Sequence, residues 1–514
     1  MKLKTFVEGF GAAILLLLFR VWPQLSPHHQ VLYHSFLPMQ SMVRGVLIDL
    51  IVLTLLAALL FWYLQKRESG RRNAVWALVA AVLAPVMFAN AAFLGQVAFP
   101  HSYSVLLFYG ALLGALSLRW LRPTVYLGAV RGLRLSLVLV GCSVVWMLPE
   151  LVYQCLRAQP SDVRVPVLRS GPAVVRQPMP SGGQRIVWLL FDELSYEQAF
   201  DHRFPGLAMP AFDRLKSESV SFSDLRPAGY DTERVVPSFF LGRVVDGLRS
   251  DLDGRPSIQL AGASPWRSFD PQATLFGDAQ RLGWTTGVVG WYNPYCRILA
   301  GTLDYCFWRM GNGQWDGTTP AKSAMQNAMV PLTNQLREWE DKPSYAQEEK
   351  HASDLAALVP QAEALIRNQK IGFVFIHLPV PHPPGIYDRR PPHQRTSGTY
   401  IDNLALADRT LAELMGVVNS TPLASKTTVI ACSDHSWRVK LWRPTPQWSK
   451  EEEGASRDRF DPRPVLMIHF PGQSRERDIS APFDDVRIHD IIERMLMGQE
   501  PDFDQAGFHV ALKP

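Results

Sequence analysis

Two adjacent carboxylates, Asp192 and Glu193, end the apolar run VWLLF at residues 187–191. Ionised side chains at the end of a buried strand are costly unless a partner neutralises them. Two further apolar runs end in side chains of the same kind. GFVFI delivers His377, with His382 five residues on, and TVIACS delivers Asp434 and His435. Carboxylates and imidazoles gathered at one sheet edge are what a divalent cation requires. A nucleophile stands between the first and second of these runs. In GYDTERVVPSFFLGR, Thr232 sits where a helix would start, with Pro237 in or near its first turns. A hydroxyl at a helix head meets the positive potential of unpaired N–H groups, and a metal lowers its pKa further. Each residue also has a plain structural reading, because Asp at a strand end often caps the next helix and Thr232 can be an ordinary N-cap. Three such ends in sheet order favour the metal, with Asp192, Glu193, Asp434 and His435 as ligands and Thr232, His377 and His382 as the further candidates.

The elements that must hold these residues follow from pattern. Across residues 185–514, RIVWLLF precedes the amphipathic MPAFDRLKSESV, and TLFGDAQRLG precedes WTTGVVG. DLAALVPQAEALIRN then precedes IGFVFIHL, and NLALADRTLAELMGVVN precedes TTVIAC. This alternation predicts an α/β domain with a mostly parallel central sheet covered by helices on both faces. Ligands of such sheets bind beyond the carboxyl ends of the strands. Residues 156–184, rich in Pro, Gly and Arg and without periodicity, read as a linker.

Upstream lies a region of another class. The 514-residue chain is 47% apolar and only 19% charged, and nearly all the imbalance falls before residue 156. Five apolar stretches, about 5–22, 42–64, 74–98, 104–120 and 134–155, make 1–155 an α-helical transmembrane region of about five helices. The first is either an anchor or a signal sequence, and the lack of a small-residue cleavage site favours the anchor. MKLK, QKRESGRR and the RWLRP…RGLR connector carry Lys and Arg, whereas PQLSPHHQVLYHSFLPMQS and FPHSY carry none. Positive loops stay inside, so the amino terminus is expected in the cytoplasm and residues 156–514 outside it. Much of the net charge of +5 sits in those inside loops and gives no reason to invoke nucleic acid. Among five cysteines, Cys296 and Cys306 lie ten apart in the outer domain. An oxidising compartment would bridge them, and two unpaired thiols are the alternative.

In order, IVWLLFDELSYEQ, MPAFDRLKSESVSFSD, a nucleophile ten residues before GR, and the late SDH resemble the sulfatase-like branch of the alkaline phosphatase superfamily over about residues 184–495. The sulfatase nucleophile is a Cys or Ser converted to formylglycine, and Thr232 cannot give that aldehyde. The Lys and His of the sulfatase Gly-Lys-Trp-His stretch are also missing from GWYNPY at 290–295. GWYNPYC, with Asn293 and Cys296, is instead similar to a stretch of bacterial phosphoethanolamine transferases, and HLPVPH matches the spacing of their paired His. Those enzymes and the related lipoteichoic acid synthases place about five helices before an extracytoplasmic domain. The resemblance implies Thr232 as a metal-bound nucleophile with Asp192 or Glu193, Asp434 and His435, in the inner (cytoplasmic) membrane.

The expected reaction moves phosphoethanolamine or phosphoglycerol from a membrane lipid to an envelope glycan or lipid through phospho-threonine. The cofactor is a divalent metal, Zn first because of its His ligands, with Mn, Mg or Ca as alternatives. His382, or His377, protonates the leaving group. Asn293 and Arg234, with Arg243 as a further candidate, hold phosphoryl oxygens. Two rivals are a phosphodiesterase or sulfatase-like hydrolase using water, and an inactive envelope scaffold. The scaffold draws on SDHSW lacking the Gly that usually follows SDH, with His469 and His489 as spare imidazoles. Oligomeric state is left open.

Overall fold

A computed structural model describes residues 2–25, 39–67, 69–94, 101–157, 183–250, 256–262, 265–309, 343–390, 398–445, 447–457, 460–501 and 503. It divides into two compact units, a helical one built on Met1–Asp162 and an α/β one built mainly on Val163–Arg249, Arg255–Gly313 and Ser344–Pro514.

Six helices are described in the first unit: Leu3–Leu25, Met39–Gln65, Ser69–Leu94, His101–Leu121, Pro123–Gly141 and Val144–Arg157. By length and composition, Val43–Gln65, Arg72–Ala91 and the run Pro123–Leu156 can each cross a membrane. The apolar stretch expected at 134–155 as one crossing is split between two helices, broken at Cys142–Ser143. The Ser143 hydroxyl donates to the Val140 carbonyl at 2.6 Å, offering the backbone a local alternative to the helical ladder. The RGLR residues expected in a loop lie inside the helix Pro123–Gly141. Arg134 there forms a two-pronged bond to the fully buried Glu8, at 2.9 and 3.0 Å. That contact is close because the helices touch through glycines: a Cβ on Gly11 would come within 2.0 Å of the Leu137 carbonyl. Most of the expected linker (158–182) and of the two uncharged loops lies outside the described residues.

The second unit is organised by an eight-stranded sheet. Its strands are β1 (Arg185–Phe191), β2 (Val220–Phe222), β3 (Thr286–Trp291), β4 (Tyr305–Arg309), β5 (Phe373–Leu378), β6 (Thr427–Cys432), β7 (Leu466–His469) and β8 (Arg477–Ile479). Their order is β8-β2-β7-β6-β1-β5-β3-β4, with the five strands from β6 to β4 parallel. The sheet is therefore mostly parallel, as its near-continuous apolar strands predict. β1 is buried along all seven residues. Val187, Leu189 and Phe191 face a core shared with Phe212, Leu358, Leu365, Leu404 and Leu411, from the helices Pro210–Ser217, Pro343–Arg367 and Tyr400–Ser420. Trp188 points to the other face and meets Phe239, Phe240 and Phe375 at 6.2, 6.1 and 4.7 Å. Each such side chain stabilises by about 1.5–3 kcal/mol through burial. Arg185, at the start of β1, donates to the Leu365 carbonyl at 3.2 Å, satisfying one of the end carbonyls of the helix Pro343–Arg367.

The register sets up the site. Leu190 on the central β1 pairs with Cys432 of β6 on one side and His377 of β5 on the other. Asp192 and Asp434 thus each follow a paired residue by two, and His377 stands in the adjoining strand.

Candidate active site

Four side chains meet at the carboxyl ends of β1 and β6. The Thr232 hydroxyl lies 2.7 Å from Asp434 Oδ2, 3.3 Å from Asp192 Oδ2 and 3.4 Å from His435 Nε2. Asp192, Asp434 and His435 are fully buried, and Thr232 is 5% exposed. Thr232 opens the helix Thr232–Leu241, with Asp231 rather than Thr232 at its N-cap. The hydroxyl is therefore one residue into the helix, where unpaired N–H groups concentrate. The loop of Asp434 and His435 is braced locally: Ser433 Oγ accepts from the Leu194 N–H at 2.8 Å and donates to the His435 carbonyl at 2.8 Å.

Proton positions follow from the partners. A carbonyl can only accept, so His435 Nδ1 donates to Ser436 O at 3.0 Å and leaves the Nε2 lone pair facing Thr232. His377 Nε2 lies 3.1 Å from Asp192 Oδ2, and its Nδ1 is 2.6 Å from the Tyr295 hydroxyl. Tyr295 donates to Nδ1, so Nε2–H donates to the carboxylate. Both nitrogens of His377, expected as an alternative proton donor to a leaving group, are engaged here, Nε2 at Asp192 and Nδ1 at Tyr295. Burial pushes His377 down to about 4 and lowers His435 as well, keeping both neutral.

The carboxylates are less comfortable. Burial drives Asp192 well above the usual carboxylate range, and the charge of Asp434 drives it the same way. Burial also pushes Asp434 up, but its partners, the bonds from Thr232 and the Glu193 N–H among them, hold it below its ordinary value. Asp192, Asp434 and His435 offer ligand atoms all within 4.8 Å of one another. Two carboxylate charges at that spacing repel by about 3 kcal/mol at an effective dielectric near 20. One buried oxygen, Asp192 Oδ1, has no hydrogen-bond partner. An orphaned carboxylate oxygen, a free imidazole lone pair and a hydroxyl in one dry cluster fit a divalent cation.

Glu193, expected beside Asp192 as a ligand, offers an oxygen near Asp192 and His382, and that carboxylate is bonded by Arg438. Its φ of 65° is left-handed, unusual for a residue with a side chain and common where a chain is held for function. Glu193 Oε1 accepts from the Arg438 N–H at 2.6 Å, Arg438 Nε at 3.3 Å and Trp442 Nε1 at 2.8 Å, and Oε2 accepts from Arg438 Nη2 at 3.2 Å. His382 Nε2 lies 3.2 Å from the same Nη2. Its ring is packed among Trp291, His351 and Trp442. Burial, then the charge of Arg438, hold His382 well below its ordinary value.

Other expected residues are distributed as follows. Asn293 reaches the nucleophile through the backbone, Nδ2 donating to the Thr232 carbonyl at 3.1 Å. Arg234, expected to hold phosphoryl oxygens, has its guanidinium on Asp231 and the Asp246 carbonyl on an exposed face. Arg243 is exposed. His469 bonds the Glu218 carbonyl and His489 packs against Gly242, so neither joins the cluster. Cys296 and Cys306 are joined by a disulfide. Sequence reading missed Arg438, Trp442 and Tyr295; the signal for Arg438 was its place three residues past His435, opposite an acidic pair needing a second counter-charge.

The family model described as Sulfatase matches residues 184–492. Among solved structures, the chain is similar to the PsFucS1 sulfatase from Pseudoalteromonas sp., at 12% identity over 62% of this chain and 68% of that one, TM-score 0.42. It is similar also to the lipoteichoic acid synthase LtaP from Listeria monocytogenes, at 13% identity over 62% and 72%, TM-score 0.38. A third is the phosphonate monoester hydrolase of Agrobacterium radiobacter, at 12% over 62% and 78%, TM-score 0.37. No curated protein matches the chain.

Proposed function

The chain belongs to the sulfatase family, and from that premise we propose that this sulfatase-like enzyme is a membrane-anchored phosphotransferase. It moves a phospho head group from a membrane lipid to a hydroxyl of an envelope glycan or lipid, through a phospho-threonine. One observation carries the reading: the side chain at the nucleophile position is a threonine, 2.7 Å from Asp434 and 3.3 Å from Asp192. Threonine cannot become the aldehyde on which sulfatases rely, but its alkoxide suits attack on phosphorus.

A divalent ion, zinc first, held by Asp192, Asp434, His435 and Thr232 would supply Lewis acidity, lowering the hydroxyl pKa and offsetting charge on a phosphoryl oxygen. Thr232 Oγ1 bonds to phosphorus as the P–O bond to diacylglycerol breaks, and one proton passes from the Thr232 hydroxyl to the departing oxygen. An acceptor hydroxyl then reverses the exchange: its oxygen bonds phosphorus, the P–Oγ1 bond breaks, and its proton returns to Thr232. His382 relays that proton, because its side chain is 15% exposed whereas those of His377 and His435 are fully covered. Asn293 fixes the helix head by holding the Thr232 carbonyl.

Phosphatidylethanolamine is the first donor to test and phosphatidylglycerol the second. The apolar helices keep the α/β unit at the bilayer, and the Lys and Arg bias of their loops sets the amino terminus inside an inner membrane and the catalytic unit outside. Intact-mass analysis of the purified full chain incubated with phosphatidylethanolamine tests the reading. A mass gain of one phosphoethanolamine on wild type, absent from Thr232→Ala, supports transfer. Free head group without a modified acceptor supports hydrolysis, and normal turnover by Thr232→Ala removes the mechanism.

A further inference from the structure

We infer that Arg438 is the site's resident cation: its guanidinium takes the place of a second metal ion and leaves one N–H for the oxyanion of the transferred group. The inference rests on the metal-dependent reading above. Of three ligand-capable groups among the described residues, two share Asp192, one with Asp434 and His435 and one with Glu193 and His382; the third, His489, Asp490 and Glu493, lies apart on the helix Ile488–Leu496. Chemically, each of the first two passes as a divalent site. They differ in what already occupies them.

Around Asp434 and His435, no guanidinium or ammonium among the described residues bonds the carboxylates, and Asp192 Oδ1 has no hydrogen-bond partner there. Around Glu193, the cation is built in. Arg438 Nε and Nη2 bond the carboxylate at 3.3 and 3.2 Å, and Nη2 faces His382 Nε2 at 3.2 Å. Arg438 Nη1 donates to the Tyr230 carbonyl at 3.3 Å, two residues before the nucleophile. A guanidinium has five N–H donors in a fixed fork. These contacts use four, one from Nε, two from Nη2 and one from Nη1. The fifth N–H, on Nη1, makes no hydrogen bond among the described residues; Nη1 stands 3.9 Å from Asp231 Oδ1, in a side chain 19% exposed.

Arginine suits the post because its charge is permanent and its fork matches the oxygens of a phosphoryl group. A second ion could bind only by displacing this network. Glu193 is then a positioning residue for Arg438 rather than a ligand, which accounts for its left-handed backbone and its bond from Trp442.

The test counts metal. Full-length detergent-solubilised protein is equilibrated with Zn²⁺, freed of loose ions and analysed by elemental mass spectrometry. Wild type is expected to hold one ion per chain, Arg438→Ala two, and the double variant Arg438→Ala/Glu193→Gln one again. Arg438→Lys keeps the charge and one ion but loses the fork, raising KM for the lipid donor about tenfold with a smaller change in kcat. Arg438→Gln repeats the count should the alanine variant fail to fold. Two ions on wild type, or one on wild type and on both uncharged variants, overturns the inference and leaves the metal-dependent reading standing. No ion on wild type overturns both.

Discussion

Glu8 in the helical unit and Asp192 in the α/β unit are both fully buried carboxylates, and the chain treats them in opposite ways. Glu8 is met by Arg134 through two parallel bonds. Asp192 is met by neutral groups, a histidine N–H and a hydroxyl, with a second carboxylate in the same cluster and one oxygen left bare. Glu193, one residue on, is paired with an arginine just as Glu8 is. An acid paired with arginine is a finished structural contact. Buried acids left together without a cationic side chain mark a place kept for a mobile cation, because burial otherwise favours their protonation.

The sharpest way to break this contrast is to remove the nucleophile. Thr232→Ala should lower transfer at least about a thousandfold while leaving the fold intact, as judged by an unchanged melting temperature without metal. Next, Asp434→Asn should strip the purified protein of its bound ion, whereas Glu8→Gln should leave the metal content at the wild-type value; elemental analysis reads both. His377→Ala tests the bracing of Asp192. Loss of such an orienting contact should weaken metal affinity about 10–100-fold, measured by competition with a chelator. Glu8→Gln should then destabilise the helical unit by about 2 kcal/mol, below the usual value for a fully buried pair because Arg134 is 28% exposed. Glu8→Gln/Arg134→Gln should recover part of that loss in a thermal melt, whereas a paired substitution of Asp192 and His377 should recover no metal binding.

Much of this arrangement was legible because parallel sheets announce themselves. RIVWLLF, GFVFI and TVIAC are runs too apolar for a half-exposed strand, and each hands its next polar residues to one edge. That logic reached Asp192, His377, Asp434, His435 and Thr232. For Glu193 it was incomplete: the side chain does stay within ligand reach of Asp192, but its pairing with Arg438 could not be read from adjacency in sequence. Nor did it foresee the partner of Arg234: three residues along a helix bring it to Asp231, and a local ion pair forms more readily than a distant contact. Arg438 was hidden because its partners Glu193, Tyr230 and His382 come from three separate segments. In the helical unit, hydropathy found the apolar stretches but not the break at Cys142–Ser143, where the Ser143 hydroxyl and backbone N–H both turn to the Val140 carbonyl.

The central claim is that one divalent ion sits among Thr232, Asp192, Asp434 and His435. Crystals of the protein grown with Zn²⁺ and measured at the zinc absorption edge test it most directly. The account predicts one anomalous peak per chain, about 2.0–2.2 Å from an oxygen of Asp192, an oxygen of Asp434, His435 Nε2 and Thr232 Oγ1. A peak beside Glu193 and His382 with Arg438 displaced, or none at the strand ends, would contradict it.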